Sequence, residues 1–241
     1  ASDWSSDVCS SDLPLLDAVD KWLPSPLERP YPAVGPASAS ACRPADPALP
    51  LSVFVWKTIA DPFAGRVTLF RVVSGVLKSD SLLANRTRGT TERIGHLELL
   101  QGKAAMPVAE LRAGDLGAVT KLRDTLTNDT LGDKTDAIAF PPVPFPEPVL
   151  AYAIEPKTRA DEDKISTALH RVEEEDPTLR YARDPQTHEL LLSGQGQLHI
   201  EVAVAKLKKR FGVDVTLRPP HVPYRETITT AVDAHGRHKK Q

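Results

Sequence analysis

No run in these 241 residues approaches the roughly 18 apolar side chains a membrane-crossing helix needs, so the sequence predicts no such span. Cysteine is scarce: Cys9 and Cys42 are the two present. Both fall in segments without periodicity and neither has a metal partner at useful spacing, a usage that fits a reducing, cytoplasmic compartment. A surplus of either charge is also missing. The 30 Lys and Arg against 32 Asp and Glu leave a formal net charge of −2, which gives no global signal for nucleic acid. Nor is there a phosphate cradle. Gly102-Lys103 has the Gly-Lys pair, but Leu97 stands where the first glycine of Gly-x-x-x-x-Gly-Lys-Ser/Thr belongs. Without it, the Asp-x-x-Gly strings at Asp129–Gly132 and Asp233–Gly236 read as chance. Gly194-Gln195-Gly196 lacks the third glycine of a dinucleotide fingerprint, His199 taking that place, and reads as a strand-to-helix turn needing positive φ. The seven histidines form no ligand cluster, and neither a nucleophile elbow nor a zinc-protease motif occurs.

What remains is a globular chain of 41% apolar and 26% charged residues. Its length suits two modest domains, on a prior of about 100–200 residues each, and it can bury roughly 70–75% of its unfolded surface without metal or disulfide staples. Proline divides it. Eight of the 22 prolines fall between Pro24 and Pro50, and five between Pro141 and Pro148. Each removes a backbone donor and pushes its predecessor out of helix, so 27–49 reads as a Pro/Ala-rich linker and 142–148 as a short stiff spacer.

Between the spacers, 50–141 reads as short strands. Leu51–Lys57 and Arg66–Val73 are rich in β-branched and aromatic residues, Leu116–Leu122 is a further candidate, and Ser74-Gly75, Arg88-Gly89 and Ala113-Gly114-Asp115 supply turns. This predicts a small antiparallel β-barrel, with an open sandwich as the alternative. Residues 149–222 change period. Strand Val149–Glu155 precedes a helix with Ile165, Ala168, Leu169 and Val172 on one face, opened by Asp161-Glu162-Asp163. Strands Leu179–Arg183 and Glu189–Leu192 follow, then a helix carrying Ile200, Val204, Leu207 and Phe211 that stops at Gly212, then Val213–Leu217. That order, βαββαβ, is ferredoxin-like, so the fold class is mainly β plus α+β.

The charges are unevenly placed. Residues 1–50 hold three Lys/Arg against seven Asp/Glu, whereas 206–241 hold nine against three. The acidic run Glu173-Glu174-Glu175-Asp176 reads as a solvated helix end. Lys206, Lys208, Lys209 and Arg210, together with Arg237, Lys239 and Lys240, read equally as solvated faces or as phosphate contacts. Residues 1–13 repeat a Ser-Ser-Asp unit with no period and lack the basic start and apolar core of a signal peptide. They read as a translated adapter artefact or a disordered lead.

Ordered strings across about 14–241 resemble one family. Thr58–Arg66, Phe70–Gly75 and Ala113–Val119 resemble the second domain of translation elongation factor G. Ala153–Lys157, Glu174–Thr178 and Ser193–Ile200 resemble its third domain. Pro223–Ile228 and Arg237–Gln241 resemble the start of its fourth, and Leu16–Val19 with Leu23–Pro26 the last helix of its GTP-binding domain. The chain is thus similar to part of an elongation factor G-like protein, nearer its second, paralogous type, with 14–26 as the end of the GTP-binding domain and 223–241 as the start of domain four.

The resemblance implies a translational GTPase that binds ribosomal RNA and proteins as a monomer and couples GTP hydrolysis to translocation of tRNA and mRNA. GTP and Mg would sit in a preceding domain acting in cis; no catalytic residue, nucleotide, metal or membrane site is expected in this chain. It implies that Asp61, Phe63, Gly65 and Arg66 shape a barrel turn at the ribosomal face, and that Gly194, Gly196 and His199 hold a coupling turn. Asn128 stands where the family has glycine, a replacement that tolerates positive φ, and Gln197 replaces a glutamate. A ribosome-protection or recycling factor, or a standalone RNA-binding module without a GTPase, are the competing readings.

Overall fold

The computed structural model describes residues 4–35, 40–61, 65–102 and 104–240; of residues 4–12, 40 and 160 it describes the backbone. Helix α1 (Trp4–Trp22) is followed by a two-stranded ribbon, β1 (Tyr31–Val34) and β2 (Ser40–Arg43). The helix runs back through the Ser-Ser-Asp unit and across Pro14, well before the point the sequence predicts for its start. The ribbon differs too from the linker expected at 27–49. Pro32 is tolerated because a two-stranded ribbon leaves outward backbone groups unpaired, and Ala33 is buried with Val73 and Phe140. Arg43 forms a nearly buried ion pair with Asp136, which fastens the ribbon to the end of the barrel domain. Burial lowers the Arg43 pKa.

The first domain is built on the long hairpin β3 (Ser52–Asp61) and β4 (Gly65–Ser74). Around it lie β5 (Val76–Lys78), β6 (Leu82–Asn85), β7 (Thr90–Arg93), β8 (Leu97–Gln101), β9 (Ala104–Val108), β10 (Glu110–Arg112), β11 (Leu116–Thr120) and β12 (Thr130–Gly132). Eight strands form one sheet in the order β7-β6-β12-β3-β4-β11-β8-β9, and β5 pairs with β10 in a separate ribbon. Both contribute to a single core, Leu77 and Leu111 from the ribbon joining Val53, Val55, Phe70, Val72, Leu97 and Leu131 from the sheet. The sheet coils around that core, as a barrel does. Where β4 turns into β5, Gly75 has φ +77°, and a Cβ there would stand 2.6 Å from the Leu51 Cα, so no other residue fits.

The second domain runs β13 (Leu150–Pro156), α2 (Arg159–Glu175), β14 (Arg180–Arg183), β15 (Leu190–Gly194), α3 (Gln197–Phe211), β16 (Val215–Arg218). This is the βαββαβ order read from periodicity. Its sheet is ordered β14-β15-β13-β16 with every neighbouring pair antiparallel. Ile165, Ala168, Leu169 and Val172 of α2 meet Ile200, Ala203 and Leu207 of α3 over Ile154 and Leu192. Thr158 caps α2, its Oγ1 accepting the Asp161 N–H at 3.2 Å. Gly212 ends α3 at φ 66°. Residues 219–240 carry no helix or strand and are exposed apart from the half-buried Pro220.

Candidate functional site

Ala60 of β3 and Arg66 of β4 rest on the C-terminal end of α2, and the acidic run explains why. Glu174 and Glu175 are not solvated: their side chains keep 11% and 10% of their surface in water. Glu175 Oε2 accepts the backbone N–H of Ala60 at 3.2 Å and the Arg210 Nη1 donor at 2.7 Å, while Lys206 Nζ donates to Oε1 at 2.8 Å. Arg210 also reaches the Ala60 carbonyl at 3.4 Å. One carboxylate thus holds a barrel strand and two cations of α3 together. Glu174 takes Arg66 of β4 as its ion-pair partner, with His170 at 3.4 Å. Arg66 is oriented by a second pair of bonds, Nη1 donating to the carbonyls of Leu122 at 3.4 Å and Arg123 at 2.6 Å. Burial by itself would raise the Glu175 pKa, but bonds from Lys206 and Ala60 and the charges of Lys206 and Arg210 hold it below the usual glutamate range.

One residue on, Asp176 turns the other way. Its Oδ1 accepts the Thr178 N–H (3.1 Å) and hydroxyl (2.6 Å), and Oδ2 lies 2.9 Å from His199 Nε2. His199 Nδ1 accepts the Gln195 N–H at 3.1 Å. A ring nitrogen that accepts carries no proton, so neutral His199 is the Nε2–H tautomer and donates to Asp176. Burial works against the Asp176 charge, and the bonds from Thr178 and His199 overcome it, so its pKa is lowered. The end of α2 and the start of α3 are thereby tied through His199.

The glycines of this turn act differently from the positive-φ turn the sequence suggests. Neither Gly194 nor Gly196 is left-handed. Gly196 is the extended N-cap of α3, at φ 168°, with nothing near its missing Cβ. Gly194 matters through contact: a Cβ would lie 3.1 Å from His199 Nδ1 and 3.2 Å from Ile200 and Leu179. Gln195 carries a role that the sequence did not single out. Its Nε2 donates to the carbonyls of Pro146 (3.0 Å) and Glu147 (2.9 Å), clasping the proline spacer. At the other end, Asn128 does the same for Val143, donating to its carbonyl at 2.9 Å and accepting its N–H at 3.1 Å. Asn128 has φ 74°, as its place in a glycine-type turn requires. Gln197 donates to Glu201 at 2.8 Å on the surface of α3.

The remaining candidates divide. Asp61 and Gly65 close the hairpin opposite each other, Gly65 at φ +78°, beside the junction with the second domain; Phe63 lies outside the described residues. Arg66, expected at an outward face, points into the junction. Of the basic run on α3, Lys206 and Arg210 are paired to Glu175 and Lys208 to Asp214 at 3.0 Å, leaving Lys209 exposed and without an ion pair among the described residues. Arg237, Lys239 and Lys240 are exposed. Among the described residues no group of His, Cys, Asp or Glu is placed to hold a metal ion.

A barrel followed by a ferredoxin-like domain, here fastened through the end of α2, is a domain pair of translation-factor type. The family profile described as Elongation factor G domain 2 matches residues 50–134, and that described as Elongation Factor G, domain III matches residues 145–219. A crystal structure of a protein from Thermus thermophilus is similar at 33% identity and a TM-score of 0.72, over 88% of this chain and 30% of that one. The chain belongs to the elongation factor G family and carries its second and third domains. It spans about a third of the length of the Thermus protein that it matches.

Proposed function

We propose that this chain is the lever section of a translational GTPase, binding the ribosome and coupling GTP hydrolysis in a preceding domain to movement of tRNA and mRNA. The observation that supports this most is the junction itself. Glu174, Glu175 and Asp176, three consecutive residues, connect the barrel hairpin, α3 and the His199 turn, so a push on either domain reaches the other through one helix end. Such a two-domain element, biased by the nucleotide state of its neighbour, is what a switch of this kind requires. The chain supplies no P-loop, so its part is mechanical and its partners are rRNA and ribosomal proteins.

The test is cosedimentation of the full chain with ribosomes, together with its GTP turnover. Binding through four phosphate contacts falls about 50–150-fold between roughly 50 and 200 mM salt, and through more contacts further, while GTP turnover stays at the blank. Absence of cosedimentation at the lower salt overturns the reading; turnover above the blank overturns the division of labour.

A further inference from the structure

Beside the junction lies a cavity of about 220 Å³, lined by Ala60, Asp61, Gly65 and Arg66 of the hairpin, Leu122 and Arg123 after β11, and Arg171 and Glu174 of α2. At ~30 Å³ per water it has room for about seven. Three arginines from three separate segments border it, an assembly that no run of basic residues in the sequence announces. Arg66 is committed to Glu174, and Asp61 has an interaction of its own. Arg123 and Arg171 are exposed, and their side chains make no ion pair or hydrogen bond among the described residues. Arg66 Nε is buried and finds no acceptor among them either. Buried donors are seldom left without an acceptor. Guanidinium groups are suited to planar, two-pronged contact with phosphate oxygens.

We infer that this cavity is a phosphate-binding site shared by the two domains, with Arg123 of the barrel and Arg171 of α2 gripping one phosphate group across the junction. The site is composite, so it is complete only while the hairpin is docked on α2. A bound phosphate therefore stabilises docking, and by linkage docking raises phosphate affinity by the same factor. The phosphate can come from an RNA backbone or from the free anion. The RNA source rests on the ribosomal reading above, whereas the phosphate chemistry does not.

The experiment titrates the full chain with inorganic phosphate and with a ten-nucleotide single-stranded RNA, following amide shifts and fluorescence anisotropy, for the parent and for Arg123→Ala, Arg171→Ala, Lys209→Ala and Glu175→Gln. Each arginine variant should weaken phosphate about 5–10-fold, as loss of a charge-assisted contact does. Lys209→Ala, on exposed α3 away from the cavity, should change it less than about 2-fold, and Glu175→Gln, which loosens docking without lining the cavity, about 3-fold or more. RNA binding weakened in the same order identifies a backbone phosphate as the source; loss confined to inorganic phosphate identifies the free anion. Phosphate affinity unchanged in both arginine variants overturns the site, even with ribosome cosedimentation intact. Conversely, phosphate binding that persists without cosedimentation overturns only the ribosomal reading.

Discussion

The basic run on α3 and the basic run near the C-terminal end look alike in sequence and behave differently in the fold. Lys206, Lys208 and Arg210 each face a carboxylate within 3.0 Å, drawn from α2 or from Asp214. Arg237, Lys239 and Lys240 lie on a segment without helix or strand, 221–240, in which every residue is exposed. The first run is an internal fastener and the second is available to a partner. The lesson is that a charge run acquires its meaning from what the tertiary fold places opposite it, and that the opposing group can be an acidic run which, read alone, also looks solvated.

The strongest way to break this contrast is to remove the shared carboxylate. Glu175→Ala leaves Lys206 and Arg210 facing each other and strips the Ala60 N–H of its acceptor. The two cations keep 30% and 35% of their side-chain surface in water, so the loss falls below that of a fully buried pair, about 1–3 kcal/mol. Urea denaturation should show it in the second domain, accompanied by faster proteolysis at the proline spacer as docking loosens. Alanine at Arg237, Lys239 and Lys240 together should change stability by less than about 0.5 kcal/mol. Equal effects from the two changes would erase the distinction.

Acid sharpens it further. Glu175 and Asp176 are depressed in the folded chain from ordinary values of 4.5 and 3.8. A carboxylate with a depressed folded pKa contributes stability that is fully present above its unfolded value and is lost as pH falls through the folded one. Docking should therefore be constant down to about pH 5 and weaken progressively below about 4.5, as followed by the rotational correlation times of the two domains. Docking that held unchanged at about pH 3, well below the ordinary carboxylate range, would mean that contacts other than those of Glu175 fasten the domains.

Much of the fold was legible because its signals are local. The stripe Ile165–Ala168–Leu169–Val172, the stop at Gly212 and the β-branched and aromatic enrichment of β3 and β4 specify elements through neighbours in sequence, and the βαββαβ order followed directly. The β1–β2 ribbon was not legible, because eight prolines mask short strands whose pairing depends on Ala33 finding Val73 and Phe140 far along the chain. The candidate site was legible in part. His199 and Gly194 do meet in the turn between β15 and α3, but the reason for Gly194 is a contact with Leu179 and Ile200, not a backbone angle. Asn128 and Gln195 read locally as turn residues, yet their amides clasp a spacer 15 and 48–49 residues away, a relation that carries no periodicity. Arg66 and the acidic run were visible as residues but not as partners, since 108 positions separate Arg66 from Glu174.

The smallest effect is the most discriminating. If the C-terminal cations meet RNA phosphates, each contact removed lowers the slope of log affinity against log salt by about 0.7–0.9, so alanine at Arg237, Lys239 and Lys240 should lower it by about 2–3. Alanine at Lys206 should barely move the slope, because that ammonium already has Glu175 as its counterion and releases no condensed ions when RNA arrives. Measured on the same RNA, the two variants separate a cation that waits for a partner from one that has it. A slope lowered by Lys206→Ala as much as by any one of the three C-terminal substitutions would show that RNA displaces Glu175. The junction would then open on binding, and the fastener and the contact surface would be two states of the same residues.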